Sequence, residues 1–414
     1  MQNADFVHLL QLIAFKILTS LYGFDILIYV GRFISAYFSF IGRILMGITG
    51  FIKLIMAFFL SLTQIFTPVD VLIQSGGEDA YFSEWSASDV FDEGDYIELE
   101  KTPGEDFVVL NLADIQLSDT RMYDKHGTYS MELITKLIED NDPDLITLSG
   151  DNAWDSVAYL DTIEFIDSFG IPWAPVMGNH DGEGCISEFW AAYNFTAAEN
   201  CLFQFGPKNM GYGNYIINIT ENGKIIHTFF MMDTHDSAEY TLEDGTVIEG
   251  YDHLWDNQQE WYKWAVEGIE DLAGYPVEST VVIHIPVFEI YDAWNSVSIE
   301  SEEEFGSINP AYSLIASGKK GEESCPAPVN NGFFSLCKEL GSTKNIIMGH
   351  DHRNNFSVLY EGIRLTYGVK SGFGSYWRED MIGGTTINVN SFGNASIEQH
   401  YYSLIENGWL ISYE

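Results

Sequence analysis

The feature that most constrains this chain of 414 residues is a series of short apolar runs, each of which ends in a polar cluster. Phe107–Leu112 and Leu145–Leu148 are apolar enough to be buried strands, and Tyr129–Asp140 between them has the apolar spacing of a helix. Pro143 separates this helix from the second strand. The order strand, helix, strand predicts a βαβ unit and therefore an α/β fold.

Polar clusters follow five of the predicted strands. Since α/β folds bind ligands outside the carboxyl ends of their strands, we expect these clusters to meet. Carboxylate, amide and imidazole groups are suited to divalent metals, and one carboxylate can bridge two ions that clamp a phosphoryl group during displacement. The clusters are Asp114-x-Gln116, Gly150-Asp151, Gly178-Asn179-His180-Asp181, His284 and Gly349-His350-x-His352.

In this order the clusters resemble the calcineurin-like metallophosphoesterases, whose pattern is D-x-H, G-D, G-N-H-D/E, H and G-H-x-H. The resemblance covers roughly Phe107–Val369, and His284-Ile-Pro286 with Glu289 is most similar to the purple-acid-phosphatase-like group. It implies a four-layer α/β/β/α sandwich with two mixed sheets. It also implies metal-dependent hydrolysis of phosphomonoesters at a binuclear centre.

The resemblance assigns a role to each matching residue. One ion would be held by Asp114, Asp151 and His352, and the other by Asp151, Asn179, His284 and His350. Asp151 would bridge the two ions, and a metal-bound hydroxide would be the nucleophile. His180 would not be a ligand; it would stabilise charge on the phosphoryl group and protonate the leaving group, with Asp181 orienting its ring.

Two departures from the family pattern bear on the metals. Gln116 stands where the family has histidine, and its amide oxygen is a harder and poorer ligand, so the first site is expected to be weaker or to prefer Mn or Mg over Fe or Zn. Trp154 stands where purple enzymes have an iron-binding tyrosine, so we expect a colourless protein. A phosphodiesterase of the same fold and a degenerate, non-catalytic metal-binding module remain alternatives.

The first 66 residues differ chemically from the rest. They hold only two acids and four bases, so the remaining residues carry a net charge of −44 within the formal total of −42, which excludes sequence-independent nucleic-acid binding. Three interpretations remain open for this segment: a membrane-associated hairpin, a signal peptide starting at Met46 after a spurious extension of 45 residues, and a buried hairpin of the main domain. We therefore predict a hydrophobic segment (1–66), a linker and acidic lead-in (67–105) and a metallophosphoesterase domain (106–414).

Two further patterns indicate a secreted, lumenal or membrane-anchored protein with the catalytic domain on the non-cytoplasmic side. Four tripeptides match the glycosylation sequon, beginning at Asn194, Asn218, Asn355 and Asn394. The cysteines form two sequence-local pairs, Cys185 with Cys201 and Cys325 with Cys337, which either form disulfides or remain buried thiols. The expected partners are a phosphate ester substrate and, if the segment is not cleaved, a membrane.

Overall fold

The computed structural model describes residues 77–183, 186–242, 244–299 and 306–411. The hydrophobic segment 1–66 lies outside this range, so its three interpretations stay open. Within the described residues, no helix combines the length and the apolar character needed to cross a membrane.

The secondary structure alternates between strands and helices along the chain. The strands are β1 (Ile97–Glu100), β2 (Phe107–Leu112), β3 (Leu145–Ser149), β4 (Trp173–Val176), β5 (Tyr215–Glu221), β6 (Lys224–Met231), β7 (Ser237–Thr241), β8 (Val247–Tyr251), β9 (Glu278–Val282), β10 (Ser298–Ile299), β11 (Ser307–Ile308), β12 (Ala316–Ser317), β13 (Thr343–Met348), β14 (Ser357–Tyr360), β15 (Ile363–Tyr367), β16 (Gly383–Val389) and β17 (Ala395–Tyr401). The α-helices are α1 (Asp119–Met122), α2 (Lys125–Asn141), α3 (Ser156–Asp167), α4 (Glu188–Ala197), α5 (Asp256–Ala273), α6 (Ile290–Val297) and α7 (Phe333–Leu340), and 3-10 turns span Glu78–Tyr81 and Pro310–Tyr312.

Two mixed sheets carry the fold. One has the strand order β17-β16-β2-β3-β4, in which β2, β3 and β4 are parallel and β16 and β17 antiparallel. The other has the order β1-β5-β6-β9-β13-β15-β14-β12, with a parallel centre formed by β6, β9, β13 and β15. The predicted α/β architecture with two mixed sheets is confirmed.

The central strands are covered on both faces. All five residues of β3 are buried, and five of the six in β13 are buried. Uninterrupted burial is typical of parallel strands enclosed on both sides, and it explains why their sequences are apolar runs without alternation. Helix α2 packs against β2 and β16 of the smaller sheet, whereas α5 and α7 pack against β6 and β13 of the larger one.

The predicted helix at Tyr129–Asp140 is confirmed within α2. Its buried stripe contains Leu133, Ile134, Leu137 and Ile138, the positions whose spacing predicted it. The helix begins earlier than the apolar pattern because Asp124 caps it, accepting a hydrogen bond from the backbone N–H of His126 at 2.7 Å.

Part of the predicted lead-in is built into the larger sheet. Strand β1 pairs in parallel with β5, with Ile97 opposite Ile217 and Glu100 opposite Thr220. Its sequence Ile-Glu-Leu-Glu alternates apolar and acidic residues, as expected of an edge strand with one solvated face. The acidic composition of this stretch conceals a strand only four residues long.

Candidate metal centre

The polar clusters lie where the two sheets present the carboxyl ends of their central strands. Asp114, Asp151 and Asn179 follow β2, β3 and β4 of the smaller sheet. His284 follows β9 of the larger sheet, and the pair His350 and His352 follows β13. The structure therefore brings together the predicted metal ligands from both sheets, and their side chains are almost completely buried.

Several of these residues have a left-handed backbone, with φ of 54° at Asp114, 48° at Gln116, 51° at Asp151 and 79° at His350. Residues other than glycine adopt this conformation at a cost of about 1–3 kcal/mol each, and such strain concentrates at functional sites. Backbone hydrogen bonds hold this conformation in place. The N–H of Gln116, for example, donates to the carbonyl of Asp151 at 3.0 Å.

A first group of potential ligands consists of Asp114, Asp151 and His352. Each offers one ligand atom, and the three atoms lie within 4.8 Å of one another. His352 Nδ1 lies 3.0 Å from the carbonyl oxygen of Tyr376 and donates to it, so Nε2 is the nitrogen that faces Asp114 Oδ1, at 3.5 Å. Backbone hydrogen bonds of this kind fix the tautomer of metal-binding histidines.

The electrostatics keep Asp114 ionised. Burial alone would raise the pKa of this carboxyl, but the charge and hydrogen bond of His352, together with the charges of His284 and Lys370, hold it below its ordinary value. The backbone N–H of His350 also donates to Asp114 Oδ1 at 2.9 Å. The group therefore contains an anionic ligand in a buried environment.

A second group contains Asn179, His284 and His350, with Asp151 beside them. His284 Nε2 lies 3.0 Å from Asn179 Oδ1 and 3.3 Å from Asp151 Oδ1. His350 Nδ1 lies 2.9 Å from the same Asn179 oxygen and 3.3 Å from His284 Nε2. Four ligand atoms from four different loops thus converge on one point.

The second group consists of atoms that can ligate a cation. His284 Nδ1 lies 2.8 Å from the carbonyl oxygen of Ser149 and donates to it, so Nε2 faces the oxygens of Asn179 and Asp151. A ring nitrogen between two buried oxygens needs a proton or a cation beside it. Ligands about 2.1 Å from one ion lie roughly 3.0–3.4 Å apart, which matches the observed separations. The residues present therefore fit a metal ion.

Gln116 reaches the site through its amide. Its Nε2 donates to Asp151 Oδ2 at 2.8 Å, while Oε1, the atom that can ligate a cation, is buried without a hydrogen-bond partner among the described residues. The side chain therefore contacts the predicted bridging carboxylate, and its ligating oxygen is unpaired.

The predicted role of Asp181 is corrected by the structure. Asp181 Oδ1 accepts the backbone N–H of Asn152 at 2.8 Å, and Oδ2 accepts the N–H of Gly178 at 2.7 Å and the side-chain amide of Asn152 at 2.8 Å. These bonds direct the carboxylate into the protein, where burial and the charge of Asp151 raise its pKa to about 7. It secures the turn that carries Asn179 and does not orient the ring of His180.

His180 instead lies at the edge of the site between two side chains that sequence reasoning missed in this role. Its ring stacks on Trp154 with 4.4 Å between ring centroids, and its Nδ1 lies 3.1 Å from Glu183 Oε2. The backbone N–H of His180 donates to Asp151 Oδ1 at 3.0 Å.

A cleft of about 310 Å³ opens over both groups of ligands. His180, Tyr251, Glu322 and Tyr376 line it together with Gln116, Asp151, His350 and His352. Tyr251 on β8 contacts the edge of the His350 ring at 4.3 Å between centroids, and Tyr376 stacks on His352 at 4.1 Å. The cleft is large enough for a small organic phosphate.

Lys370 is a further residue that the sequence did not single out. It is buried, and its Nζ donates to the backbone carbonyl of Asp114 at 2.7 Å. Burial lowers its pKa to about 8, against the raising effect of the Asp114 and Asp151 charges. Its ammonium offsets part of the acidic charge at the centre.

The other predicted features have mixed outcomes. Cys325 and Cys337 are free thiols, which matches the thiol alternative for the second pair, and Cys185 lies outside the described residues. Asn218 is completely buried, Asn355 is 4% exposed, and Asn194 donates from its side chain to Trp190 within α4. Among the four sequon asparagines, only Asn394 is exposed.

The chain is similar in sequence to proteins that are named as phosphatases. The chain is 28% identical over 269 residues to "Probable inactive purple acid phosphatase 14" of Arabidopsis thaliana, covering 59% of this chain and 62% of that protein. It is 26% identical over 333 residues to "Phosphatase DCR2" of Saccharomyces cerevisiae, covering 70% of this chain and 53% of that protein. The chain thus matches less than two thirds of the length of either relative.

One solved structure similar to the chain is a dimetal phosphatase from Danio rerio, with a TM-score of 0.41 and 14% identity, covering 72% of this chain and all of that one. A family model also matches the chain. The sequence model of the calcineurin-like phosphoesterases matches residues 107–354, more than half of the chain, and spans the strand ends that carry the ligands. The chain belongs to the calcineurin-like phosphoesterase family.

Proposed function

We propose that this protein hydrolyses phosphomonoesters at a binuclear metal centre. The observation that carries the proposal is the convergence of potential ligand atoms in the second group, where His284 Nε2 lies 3.0 Å from Asn179 Oδ1 and 3.3 Å from Asp151 Oδ1. These separations suit ligands of one cation, and Asp151 lies in both ligand groups. The cleft above it admits a small ester.

The ligands divide between two positions that share Asp151. Asp114, Asp151 and His352 would hold one ion, with Gln116 as a weak fourth ligand, and Asp151, Asn179, His284 and His350 would hold the other. Bound divalent ions of the Mn, Fe, Zn or Mg type withdraw charge from phosphoryl oxygens and lower the pKa of water from 15.7 to about 7. The protein's part is to fix these donors by the backbone bonds described above.

In this proposal His180 acts on the leaving group. It lines the cleft beside the ligands, and its side chain is 29% exposed, so it can meet a bound ester. An imidazolium there would stabilise charge on the phosphoryl oxygens and donate a proton to the departing oxygen.

The relatives' names favour one competing function. The Arabidopsis relative is named as probably inactive, and Gln116 offers an amide where the family has imidazole. A non-catalytic metal-binding module is therefore the second candidate. The remaining ligands and His180 are all in place, which supports an active enzyme.

The test uses the full-length chain, stripped of metal and refilled separately with Mn, Fe, Zn or Mg. We expect turnover of p-nitrophenyl phosphate to return with metal and to fall by about 10²-fold or more in Asp151→Asn. Asp142→Asn is the matched control, because Asp142 has a similar left-handed backbone (φ 43°) but lies exposed outside the site.

Three other results are informative. Faster turnover of bis-p-nitrophenyl phosphate than of the monoester would indicate a phosphodiesterase. Metal binding without turnover of either ester would indicate the non-catalytic module. Activity that survives Asp151→Asn unchanged would contradict the proposed centre.

We also propose that the body lies on the non-cytoplasmic side of a membrane, either secreted or anchored by the hydrophobic segment 1–66. The exposure of Asn394, in the turn just before β17, supports this side because a glycan can be accommodated there.

A further inference from the structure

His180 is held by contacts that do not belong to the metal ligands. Its ring lies against the indole of Trp154, with 4.4 Å between centroids and 26° between planes. Trp154 is itself fixed, because its backbone N–H donates to the carbonyl of Leu117 at 2.8 Å and it directly follows the bridge between Leu117 and Ala153. One face of the imidazole is therefore covered by a side chain on a rigid loop.

A carboxylate restrains the same ring from another direction. Glu183 Oε2 lies 3.1 Å from His180 Nδ1, at ion-pair distance but off the direction of a straight hydrogen bond. The Glu183 side chain is 48% exposed, so water screens the attraction. Glu183 is thus the weaker of the two restraints, and it leaves Nε2 as the nitrogen available to the cleft.

These contacts take the place of the one expected from Asp181, whose oxygens are occupied by Gly178 and Asn152. A proton donor that acts on a leaving group must be held near hydrogen-bond distance of that oxygen, and a misplacement of about 1 Å can cost on the order of 10²-fold in rate. Free rotation of the His180 ring in an open cleft would produce such a misplacement.

We propose that Trp154, assisted by Glu183, is the positioning residue that holds His180 in the orientation for proton donation to the leaving group. This inference rests on the proposed phosphoester hydrolysis. In that step an oxygen supplied by water bonds to phosphorus while the bond between phosphorus and the ester oxygen breaks. The ester oxygen leaves with the electron pair and takes the proton from His180, and the proton released by the attacking water replaces it. Trp154 does not line the cleft; it acts through the ring that it stacks on.

The role predicts a dependence on leaving group that a general loss of structure does not produce. p-Nitrophenolate is stable as an anion and needs little protonation, whereas phenolate, whose acid has a pKa of about 10, and alkoxides need a proton. Trp154→Ala should lower kcat for phenyl and alkyl phosphates by about 10-fold or more, and for p-nitrophenyl phosphate by less than about 3-fold. Trp154→Phe keeps an aromatic face and should restore most of the loss.

Two further variants complete the series. Glu183→Gln should cost no more than about 5-fold, with the same leaving-group trend, since an exposed pair contributes little. Trp255→Ala is the matched control, because Trp255 stacks on His235 in the same way, with 3.8 Å between centroids and 10° between planes, away from the cleft. It should show no dependence on leaving group.

A second measurement is independent of activity. In the metal-free protein the indole ring current should shift the ring proton signals of His180 upfield, and these signals can be identified among the ten histidines by their loss in His180→Asn. They should move downfield in Trp154→Ala and stay in place in Trp255→Ala. Unchanged signals in Trp154→Ala, or an equal loss of kcat for all esters, would overturn the proposal. A wild-type protein inactive with every metal would contradict the proposed function, while the signals would still report the stack.

Discussion

Gly150, in the loop after β3, lies directly against His284, a ligand from the other sheet. Its φ is +88°, and a Cβ built on it would lie 2.5 Å from His284 Nδ1 and 2.6 Å from Cγ of the same ring. Replacement by alanine therefore forces either the loop after β3 or the imidazole to move. Because His284 Nδ1 is bonded to the carbonyl of Ser149, both sides of the contact are constrained.

The cost of Gly150→Ala has two parts. Holding alanine in a left-handed conformation costs about 1–2 kcal/mol, and overpacking a rigid site adds about 1–3 kcal/mol. We expect a loss of about 2–5 kcal/mol in the free energy of unfolding of the metal-free protein. The displaced imidazole should also weaken metal binding at the second group, because His284 Nε2 would no longer meet Asn179 Oδ1.

The matched control is Gly170→Ala, in the turn that follows α3. Gly170 also has a positive φ, +68°, but a Cβ there would meet no atom within 4 Å. It should lose only the backbone part, about 1–2 kcal/mol, and keep its metal affinity. Urea unfolding and calorimetric titration with Zn or Mn measure both quantities. A Gly150→Ala protein as stable as Gly170→Ala, with unchanged metal affinity, would refute the close approach.

Three further predictions concern other parts of the chain. Burial lowers the pKa of His227 from 6.5 to about 4, against the raising effect of its hydrogen bond to the carbonyl of Gly393. Because the unfolded chain binds the proton more tightly, the free energy of unfolding should fall by up to about 3 kcal/mol as the pH drops from 6.5 to 4. His227→Gln should remove that part of the pH dependence in unfolding measurements. Identical slopes for the two proteins would show that His227 does not titrate in this way. Gln116→His places an imidazole beside Asp151, and this variant should bind Zn at least about 10-fold more tightly at the first group in calorimetric titration. Gln116→Ala should show no such gain. Equal Zn affinities of the two variants would place the side chain outside the coordination sphere. If the protein passes through a glycosylating compartment, a glycosidase-sensitive mass shift should vanish in Asn394→Gln and persist in Asn218→Gln, and a shift that persists without Asn394 would mean that another sequon is used.

The sequence alone predicted the enclosed strands and the residues at their carboxyl ends. Apolar runs without alternation predicted the enclosed strands, and residues directly after them proved to be those that converge, because parallel strands place their carboxyl ends at one edge. Strand β1 was missed because an edge strand of four alternating residues lacks that apolar signature. Its pairing with β5 is a tertiary contact that composition does not predict.

The site was predicted less completely because its contacts join distant segments. Asp181 adjoins His180 in sequence, yet its carboxylate turns inward to the amides of Asn152 and Gly178. The indole that stacks on His180 belongs to Trp154 in the loop after β3, so no local sequence pattern predicts the contact. Lys370 follows β15 and donates to the carbonyl of Asp114, which is distant in the sequence. A single lysine after a strand does not by itself predict such a buried contact.

The most direct test of the account is the metal content of the full-length chain, measured by mass spectrometry after equilibrium dialysis against Mn or Zn, in parallel with phosphatase activity. We predict two ions per chain, with activity that follows occupancy, and loss of both in Asp151→Asn but not in Asp142→Asn. A protein that binds no ion at the centre, or that hydrolyses the ester equally well after complete removal of metal, would contradict it.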